Sequence, residues 1–398
     1  IEGTWAYDGA SISQLSDGAS SPPPRVGHTM VFDTRRGVVV LFGGEGVSLI
    51  DGKAVRYDDL WEWDGSTWTE RELTGTLRPQ ARRDHVMAYD SARGVTLLFG
   101  GEVPSLQEGV AGTALRDTWS YDGHSWTRLD PDPIALCASS GGTWDACAFE
   151  NTCCGAVTCE SQALDDPSCC GVELPPACTE GCLCAEGAIW DETIGCKASS
   201  ECGLSGGALP PYDTYQAMAY DPLLEVTLMG GGEQGELWQH DGERWTKLTP
   251  EGQSPSSLQN LFYDANQGGL RSLSTDSFSN LSQWQWTGEG WSSEVELLAD
   301  TPPSLSQSHI AFDSAEDVLI VHSASGLYEW TEGVLKTLTG LPAGPIETLL
   351  ADAEADELEV SSPHLSGHVM GWDPQSESVV LSGGVFDGED NTTFWLWA

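Results

Sequence analysis

The chain has 398 residues, long enough for a large core and for more than one domain. Its 61 acidic residues face 17 basic ones, which gives a formal net charge of −44 at pH 7. This balance argues strongly against nucleic acid and anionic membrane surfaces as partners, because both attract basic patches. No apolar run approaches the roughly 20 residues of a membrane helix, so we expect no membrane span. The acidic surface attracts cations such as Ca²⁺.

One motif recurs along the chain with the periodicity of paired β-strands. Residues 27–44 read GHTMVFDTRRGVVVLFGG, and residues 84–101 read DHVMAYDSARGVTLLFGG. In each copy an Asp follows an aromatic residue and stands three positions after a Met, Leu or Ile, which is the alternation of a strand. The Asp begins a predicted turn, because its side chain can bond to nearby backbone amides, and an apolar second strand follows. The aligned aspartates are Asp33, Asp90, Asp221, Asp264, Asp313 and Asp373.

The second half of each unit contains two aromatic strands around an Asp-Gly or Thr-Gly hairpin signal. Its copies are Trp61/Trp63/Trp68, Trp119/Tyr121/Trp126, Trp238/His240/Trp245, Trp284/Trp286/Trp291 and the degenerate Tyr328/Trp330/Leu335. Each unit therefore contains four short antiparallel strands in about 40–57 residues, a period typical of the blades of a β-propeller. The regular recurrence of these Trp residues predicts packing between blades.

The motifs HVMAYDSARGVTLLFGG and DTWSYDGHSWT resemble bacterial kelch repeats of the galactose-oxidase/kelch β-propeller superfamily. The resemblance covers roughly 330 residues and implies an all-β, kelch-type propeller. Five internal copies of the second half, with one composite copy at the chain ends, predict six blades. Seven blades are the alternative, because the segment IETLLADAEADELEVSS around Asp352 resembles a further first half.

The two ends of the chain are predicted to form one blade together. Residues 392–398 (TTFWLWA) match the third-strand motif DDLWEWD, and residues 1–7 (IEGTWAY) match the fourth-strand motif DGSTWTE. We therefore expect the closing blade to take three strands from the C-terminus and one from the N-terminus. Pairing the N-terminal strand with the C-terminal blade closes the ring and removes exposed sheet edges.

A cysteine-rich insert interrupts the propeller. The predicted organisation is propeller in residues 1–130, insert in 131–206 and propeller again in 207–398, with residues 1–7 in the closing blade. The dense, even set of cysteines predicts a disulfide-rich lobe and an oxidising compartment, and the absence of His from the insert disfavours zinc. The cysteines are Cys137, Cys147, Cys153, Cys154, Cys159, Cys169, Cys170, Cys178, Cys182, Cys184, Cys196 and Cys202.

The second half of the insert, CTEGCLCAEGAIWDETIGCKASSEC, resembles the C-terminal part of trypsin-inhibitor-like domains of secreted proteins. The first half departs from that family, since it has two Cys-Cys pairs. The resemblance implies a protease inhibitor, whereas a small module that needs cross-links to fold is the favoured interpretation. Trp144 and Trp190 break the propeller repeat, so they are candidates for stacking on a sugar. Covering disulfides is the other interpretation of these two residues.

Two further groups are candidate ligand sites. His28, His85 and His368 stand five positions before an aligned Asp, where a first strand lines the axial channel. An imidazole metal site is one interpretation, and hydrogen bonds between strands are the favoured one. The loop FDGEDNTTF offers Asp387, Glu389 and Asp390 as oxygen ligands for Ca²⁺, although no EF-hand loop is present. The corresponding loop of the first blade contains a further acidic set, Glu45, Asp51, Asp58 and Asp59.

Enzyme signatures are largely missing. There is no nucleophile elbow, zinc-protease motif or P-loop, and the copper site of galactose oxidase is excluded because no Cys lies outside the insert. We expect an extracellular or cell-surface, non-enzymatic scaffold that requires no cofactor and binds a protein or glycan through its loops and insert. The alternatives are a secreted glycosidase or lyase with acidic loop residues and a protease inhibitor. Self-assembly is left open, and Asn280 and Asn391 are glycosylation sequons.

Overall fold

The structure is a computed structural model, and every regular element that it describes is a β-strand. It describes residues 4–7, 12–16, 21–47, 54–72, 77–103, 112–130, 143–145, 181–183, 188–191, 195–198, 210–211, 216–231, 236–275, 281–297, 305, 308–313, 317–323, 326–331, 334–337, 365–373 and 378–386. In this part of the chain no helix is long and apolar enough to cross a membrane. The chain divides into unit 1 (Ile1–Thr127, Pro211–Glu243 and Lys247–Ala398) and unit 2 (Arg128–Pro210 and Arg244–Thr246).

The strands are numbered in chain order. They are β1 (Thr4–Tyr7), β2 (Ile12–Ser16), β3 (Thr29–Asp33), β4 (Val38–Phe42), β5 (Glu45–Val47), β6 (Ala54–Arg56), β7 (Leu60–Trp63), β8 (Trp68–Glu70), β9 (Val86–Asp90), β10 (Val95–Phe99), β11 (Glu102–Val103), β12 (Thr113–Ala114), β13 (Thr118–Tyr121), β14 (Trp126–Arg128), β15 (Thr143–Asp145), β16 (Gly181–Leu183), β17 (Ala188–Asp191), β18 (Gly195–Ala198), β19 (Gln216–Asp221), β20 (Val226–Gly231), β21 (Glu236–His240), β22 (Trp245–Leu248), β23 (Leu261–Asp264), β24 (Gly269–Thr275), β25 (Leu281–Trp286), β26 (Trp291–Leu297), β27 (His309–Asp313), β28 (Val318–Ser323), β29 (Gly326–Thr331), β30 (Val334–Thr337), β31 (Leu365–Asp373) and β32 (Ser378–Phe386).

The described strands form six four-stranded antiparallel sheets, numbered here by the position of their first strand in the chain. Sheets 1 to 6 have the orders β3-β4-β7-β8, β9-β10-β13-β14, β19-β20-β21-β22, β23-β24-β25-β26, β27-β28-β29-β30 and β31-β32-β1-β2. Consecutive first strands contact one another from β3 through β9, β19, β23 and β27 to β31, and β31 also contacts β3. Four-stranded sheets whose first strands meet in this way are blades around an axis, so the chain is an all-β propeller.

The predicted Asp turns are present between the first and second strands. The Asp33 carboxylate accepts hydrogen bonds from the backbone amides of Arg35 and Arg36, each at 3.0 Å. The corresponding carboxylates Asp90, Asp221 and Asp264 also accept from backbone amides two or three residues further on. In these four sheets the Asp side chain thus bonds the backbone of the tight turn, which explains why an Asp recurs at this position.

Aromatic side chains fill the contacts between neighbouring sheets, which confirms the predicted role of the recurring Trp residues. Between sheets 1 and 2, the Phe42 and Trp126 rings meet edge to face with centroids 5.2 Å apart. The same cluster includes Trp119 and Tyr121 of sheet 2 and Val40 of sheet 1. Since burying a large apolar side chain contributes about 1.5–3 kcal/mol, each such contact is a major source of stability.

Strands from both halves of the sequence meet in sheet 6, but in an order that differs from the prediction. Strand β1 pairs directly with β32, with Trp5 opposite Leu381 and Tyr7 opposite Val379, and β2 pairs with β1. The sheet thus takes two strands from each end of the chain, whereas the predicted arrangement was three and one. The predicted third strand at 392–398 lies outside the described residues.

The physical reason is a hairpin signal near the N-terminus. The stretch TWAYDG at 4–9 reproduces TWSYDG at 118–123, which contains third strand β13 and the hairpin turn that follows it. An Asp-Gly turn after an aromatic strand favours a hairpin to the next strand. Residues 4–7 therefore form a third strand, β1, followed by the fourth strand β2, rather than a fourth strand alone.

Unit 2 contains the described part of the insert, which consists of two antiparallel strand pairs. Strand β15 pairs with β16, and β17 pairs with β18. Trp144 lies directly opposite Cys182, and Trp190 lies directly opposite Cys196. Both candidate binding tryptophans are thus cross-strand neighbours of a cysteine in the backbone register, and their role in sugar binding or in covering disulfides stays a prediction. The disulfides themselves stay a prediction, since the other ten cysteines lie outside the described residues.

Candidate functional site

A buried arginine supports the connection between the second and third strands of sheet 1. Arg25 donates two hydrogen bonds to the Asp59 carboxylate, at 2.6 and 2.7 Å, and one to the Gly43 carbonyl at 2.9 Å. The Trp61 indole N–H donates to the same carboxylate at 2.7 Å. Asp59, predicted in an acidic set that could hold Ca²⁺, is therefore engaged by a cation and an indole. Charge-assisted, two-point contacts of this kind are among the strongest polar interactions in proteins.

Sheet 2 repeats this arrangement with its own residues. Arg82 donates to the two oxygens of Asp117 at 2.7 and 2.8 Å and to the Gly100 carbonyl at 2.7 Å. The Trp119 indole donates to Asp117 at 2.7 Å. Each of the two sheets thus has its own Arg–Asp–Trp group, which fixes the beginning of its third strand. The spacing Asp-x-Trp was visible in the sequence, but its arginine partner lies 34 or 35 positions earlier.

The two histidines next to these arginines are buried. His28 and His85 are each 3% exposed. The His85 ring meets the Phe42 ring edge to face at 5.6 Å, and a Cβ on Gly43 would stand 3.1 Å from the His85 ring. Burial and the nearby Arg82 cation lower the pKa of His85 to about 3, so the imidazole is neutral at pH 7.

The structure describes the positions of all three histidines of the predicted channel-lining ring. His85 lies at the junction of sheets 1 and 2, against Phe42 and Gly43 of sheet 1, whereas His28 adjoins Gly44 of its own sheet. His368 lies on β31 opposite Gly383, which is the corresponding strand position. A ligand-binding role for the three histidines stays a prediction.

Sheets 1 and 2 each carry an extra hairpin between the second and third strands. These rim hairpins are β5–β6 and β11–β12. The backbones of Val26 and Glu45 exchange hydrogen bonds at 2.8 Å, and those of Arg83 and Glu102 do so at 2.8 and 3.1 Å. Each rim hairpin is thereby joined to the segment that enters its own sheet.

Lateral hydrogen bonds also join the two sheets at this level. The Gly44 amide donates to the Arg82 carbonyl, and the Asp84 amide donates to the Gly27 carbonyl, both at 2.8 Å. These hydrogen bonds hold the two rim hairpins beside each other on one edge of the propeller.

Charged side chains lie between the rim hairpins. The Arg83 guanidinium is 3.5 Å from Glu45, 3.6 Å from Glu102 and 3.4 Å from Asp84. A second arginine, Arg56, lies 3.6 Å from Glu45. These distances are longer than those of the buried pairs, and the side chains are partly exposed. The surface therefore presents both hydrogen-bond donors and acceptors to the solvent.

The turn between β3 and β4, at the opposite end of these strands from the rim hairpins, is held by a different set of charged residues. Arg36 donates to Asp33 at 2.6 Å and to the buried Glu62 at 2.5 Å, and the Tyr121 hydroxyl of sheet 2 donates to Glu62 at 3.0 Å. Burial, with the Asp33 carboxylate, raises the pKa of Tyr89 of sheet 2 to about 12. The buried carboxylates here hold two sheets together, which is a structural role.

The contact between the Asp turn of one sheet and the next sheet differs from one pair of sheets to another. Arg93 of sheet 2 donates to Asp90 at 2.7 Å and to the Asp241 carbonyl of sheet 3. In sheet 3 the residues that follow the aligned Asp in the turn are Leu223 and Leu224, which are 71% and 47% exposed. Their side chains approach the turns of sheet 4, so the hydrogen bond from an arginine is replaced by an apolar contact.

The calcium candidates Asp387, Glu389, Asp390 and Asp51 lie outside the described residues. Within the part of the chain that the structure describes, no group of three or more His, Cys, Asp or Glu side chains is arranged to hold a metal ion. The Asp58 carboxylate pairs with Arg78 at 2.9 Å. Calcium binding at 387–390 stays a prediction.

No protein-family model matches the chain, and no curated protein matches it. Solved structures with a similar chain path include that of YjhT, with a TM-score of 0.46, 10% identity and coverage of 96% of this chain and 99% of that chain. Ycf48 bound to a D1 peptide has a TM-score of 0.37, 14% identity and coverage of 94% and 82%. AofleA from Arthrobotrys oligospora has a TM-score of 0.38, 10% identity and coverage of 91% and 82%. The protein is a β-propeller, as its own sheet order already defines.

Proposed function

We propose that this protein is an extracellular or cell-surface scaffold without enzymatic activity, which binds a protein or glycan partner through the rim hairpins and the insert. The observation that carries the proposal is the pair of rim hairpins beside Arg83. In sheets 3, 4 and 5 the second and third strands follow each other after only short connections, from Gly231 to Glu236, from Thr275 to Leu281 and from Ser323 to Gly326. The elaboration of two adjacent sheets makes this edge different from the rest, and function on a repeated fold resides where copies differ.

A non-enzymatic role is supported by the hydrogen bonds and ion pairs in which the buried carboxylates are engaged. Asp59 and Asp117 are neutralised by arginines, and Glu62 is shared by Arg36 and Tyr121. A glycosidase needs two carboxyl groups free to face one bond. No cofactor is required for the proposed role, and Ca²⁺ at the acidic loop of residues 387–390 remains the candidate ion.

We further propose a kelch-type ring of six blades, closed by the pairing of β1 with β32. The contact between β27 and β31, together with that between β31 and β3, supports this count. Seven blades are the alternative. An experimental density map with another sheet between sheets 5 and 6 would contradict the proposal.

The proposed function is tested by binding of the full chain to a glycan array and to a panel of extracellular proteins. Arg83→Ala should weaken binding about tenfold or more, since it removes the cation between the rim hairpins. Lys336→Ala is the matched control, because it removes one exposed cation of sheet 5 that lies 3.7 Å from Glu329. Equal effects of both variants would exclude the rim as the binding surface.

The same assay separates the alternatives. Oligosaccharides recovered after binding should be intact, and shortened products would identify a glycosidase or lyase instead. Serine proteases incubated with an excess of the protein should keep their activity, and stoichiometric inhibition would assign an inhibitor function to the insert.

A further inference from the structure

The turns between the third and fourth strands of sheets 1, 2 and 3 each begin with an Asp-Gly pair. These pairs are Asp64–Gly65, Asp122–Gly123 and Asp241–Gly242. Sheet 3 differs from the other two in the residue that precedes the Asp. That residue is His240, whereas Trp63 and Tyr121 occupy the same register position in sheets 1 and 2.

The His240 side chain is directed at the backbone of its own turn. Its Nδ1 accepts a hydrogen bond from the Gly242 amide at 3.1 Å, and the residue is 2% exposed. Burial lowers the pKa of His240 to about 4, so the ring is neutral at pH 7 and its hydrogen lies on Nε2. Trp63 cannot replace this acceptor because an indole nitrogen only donates, and the Tyr121 hydroxyl is bonded to Glu62.

An arginine contacts the oxygen of the same peptide unit. Arg93 of sheet 2 donates to the Asp241 carbonyl. A cation at this oxygen stabilises the negative charge that the oxygen gains when the amide nitrogen loses its proton. At the corresponding turn of sheet 2, Arg36 instead donates to the carboxylates of Asp33 and Glu62.

The Asp241 carboxyl group is folded over this peptide unit. Its Oδ1 accepts a hydrogen bond from the Glu243 backbone amide at 2.9 Å, which is the arrangement of an Asx turn. The ring closed by this bond passes through the Gly242 nitrogen, and glycine has no side chain that shields this nitrogen. A nucleophile, a base and a stabilising cation are therefore held around one peptide bond.

We propose that Asp241 is a site of self-catalysed isomerisation to isoaspartate, with His240 as the base and Arg93 as the stabilising cation. His240 Nδ1 takes the Gly242 amide proton, and the nitrogen forms a bond to the carboxyl carbon of the protonated Asp241 side chain. The C–O bond of that carboxyl group breaks, and its hydroxyl leaves as water with the proton held by His240. One water then opens the succinimide, and attack at the former backbone carbonyl gives isoaspartate without any other reactant.

The modification alters the contact between sheets 2 and 3. Isoaspartate adds one carbon to the main chain and converts the carbonyl that Arg93 contacts into a free carboxylate. The turn between β21 and β22 therefore changes its geometry and its charge distribution next to sheet 2.

Peptide mapping of the folded full chain, incubated at pH 7 and analysed by electron-transfer fragmentation, tests the proposal without any variant. Isoaspartate should accumulate at Asp241 about tenfold or more faster than at Asp64 and Asp122, which serve as internal controls. In concentrated urea the three Asp-Gly pairs should react at similar rates, because only the fold distinguishes them. Equal rates in the folded chain, or an excess at Asp241 that persists in urea, would overturn the proposal.

Two variants distinguish chemistry from support of the turn. His240→Tyr introduces the residue of sheet 2, and Arg93→Leu introduces the residue that Leu224 provides in sheet 3. Each should slow isomerisation at Asp241 about tenfold or more, whereas loosening of the turn would accelerate it. His124→Tyr, which removes an exposed histidine of the sheet 2 turn, is the matched control and should leave the rate at Asp241 unchanged. An unchanged or higher rate in either of the first two variants would overturn the proposal.

Discussion

Arg82 and Asp117 are joined by two hydrogen bonds, at 2.7 and 2.8 Å, and the arginine side chain has no exposed surface. Removing the carboxylate leaves a buried guanidinium without its counter-charge. We expect Asp117→Ala to lower the free energy of unfolding by about 3–5 kcal/mol, as measured by urea denaturation. Asp58→Ala is the control, since the exposed pair with Arg78 should contribute no more than about 1 kcal/mol. Similar losses for both variants would contradict the importance of burial.

Residue 123 must be glycine because its backbone has a positive φ and because Arg36 lies too close for a Cβ. Its φ is +94°, and a Cβ would stand 2.8 Å from Nε of Arg36. Gly252 has a similar φ of +82° with nothing within 4 Å of the added Cβ. We expect Gly252→Ala to cost about 1 kcal/mol from the backbone alone, and Gly123→Ala to cost at least about 1 kcal/mol more by displacing Arg36. Equal melting temperatures of the two variants would show that Arg36 moves freely.

Stability should fall as the pH falls because of the buried imidazole of His85. Its pKa is about 3 in the folded protein against 6.5 for an exposed histidine. Between these values the unfolded chain binds a proton that the folded chain does not, so unfolding is favoured as the pH decreases. Within this window the slope from one group is about 1.4 kcal/mol per pH unit.

His85→Phe should remove this component, and the difference between parent and variant isolates it from the titration of carboxylates. Urea denaturation at pH 7, 6, 5 and 4 measures the slope, whatever the stability of the variant at pH 7. Parallel curves for parent and variant would contradict a buried neutral His85.

The disulfide framework is expected to stabilise the insert alone, because no cysteine lies outside residues 137–202. The unreduced, denatured protein should show no free thiols by mass spectrometry. Dithiothreitol should abolish protection of the insert amides, while the main calorimetric transition of the propeller shifts by no more than about 2 °C. A larger shift of that transition would mean that the insert supports the propeller.

Local patterns made much of the fold predictable. The Asp turn at Asp33 and the Trp packing at Trp126 follow from strand periodicity and from hydrogen bonds within three residues. Arg25 and Asp59 were not recognised as partners, because a contact between residues 34 positions apart leaves no periodic signal. The prediction that residues 1–7 form a fourth strand was wrong. Their Trp matches the fourth-strand motif, but the Asp-Gly turn that follows Tyr7 favours a hairpin to a further strand.

The candidate site was less predictable, because it depends on contacts between residues that are far apart in the sequence. Histidine spacing predicted a channel-lining ring, and its residues His28 and His85 are buried, with His85 packed against Phe42 of sheet 1. The rim hairpins arise from two long connections that begin alike, GGEGVSLIDG at 43–52 and GGEVPSLQEG at 100–109, but this pattern does not by itself indicate a hairpin. What joins them is Arg83, a residue that differs from its counterpart Val26 in sheet 1.

The change from Arg36 and Arg93 to Leu224 at successive turns makes the molecule respond unevenly to ionic strength. Concentrated salt screens partly exposed charge pairs and strengthens the burial of apolar groups. We therefore expect concentrated salt to weaken the contacts of Arg36 and Arg93 and to strengthen the packing of Leu224 against the neighbouring sheet, so that the weakest contact between sheets depends on the solvent.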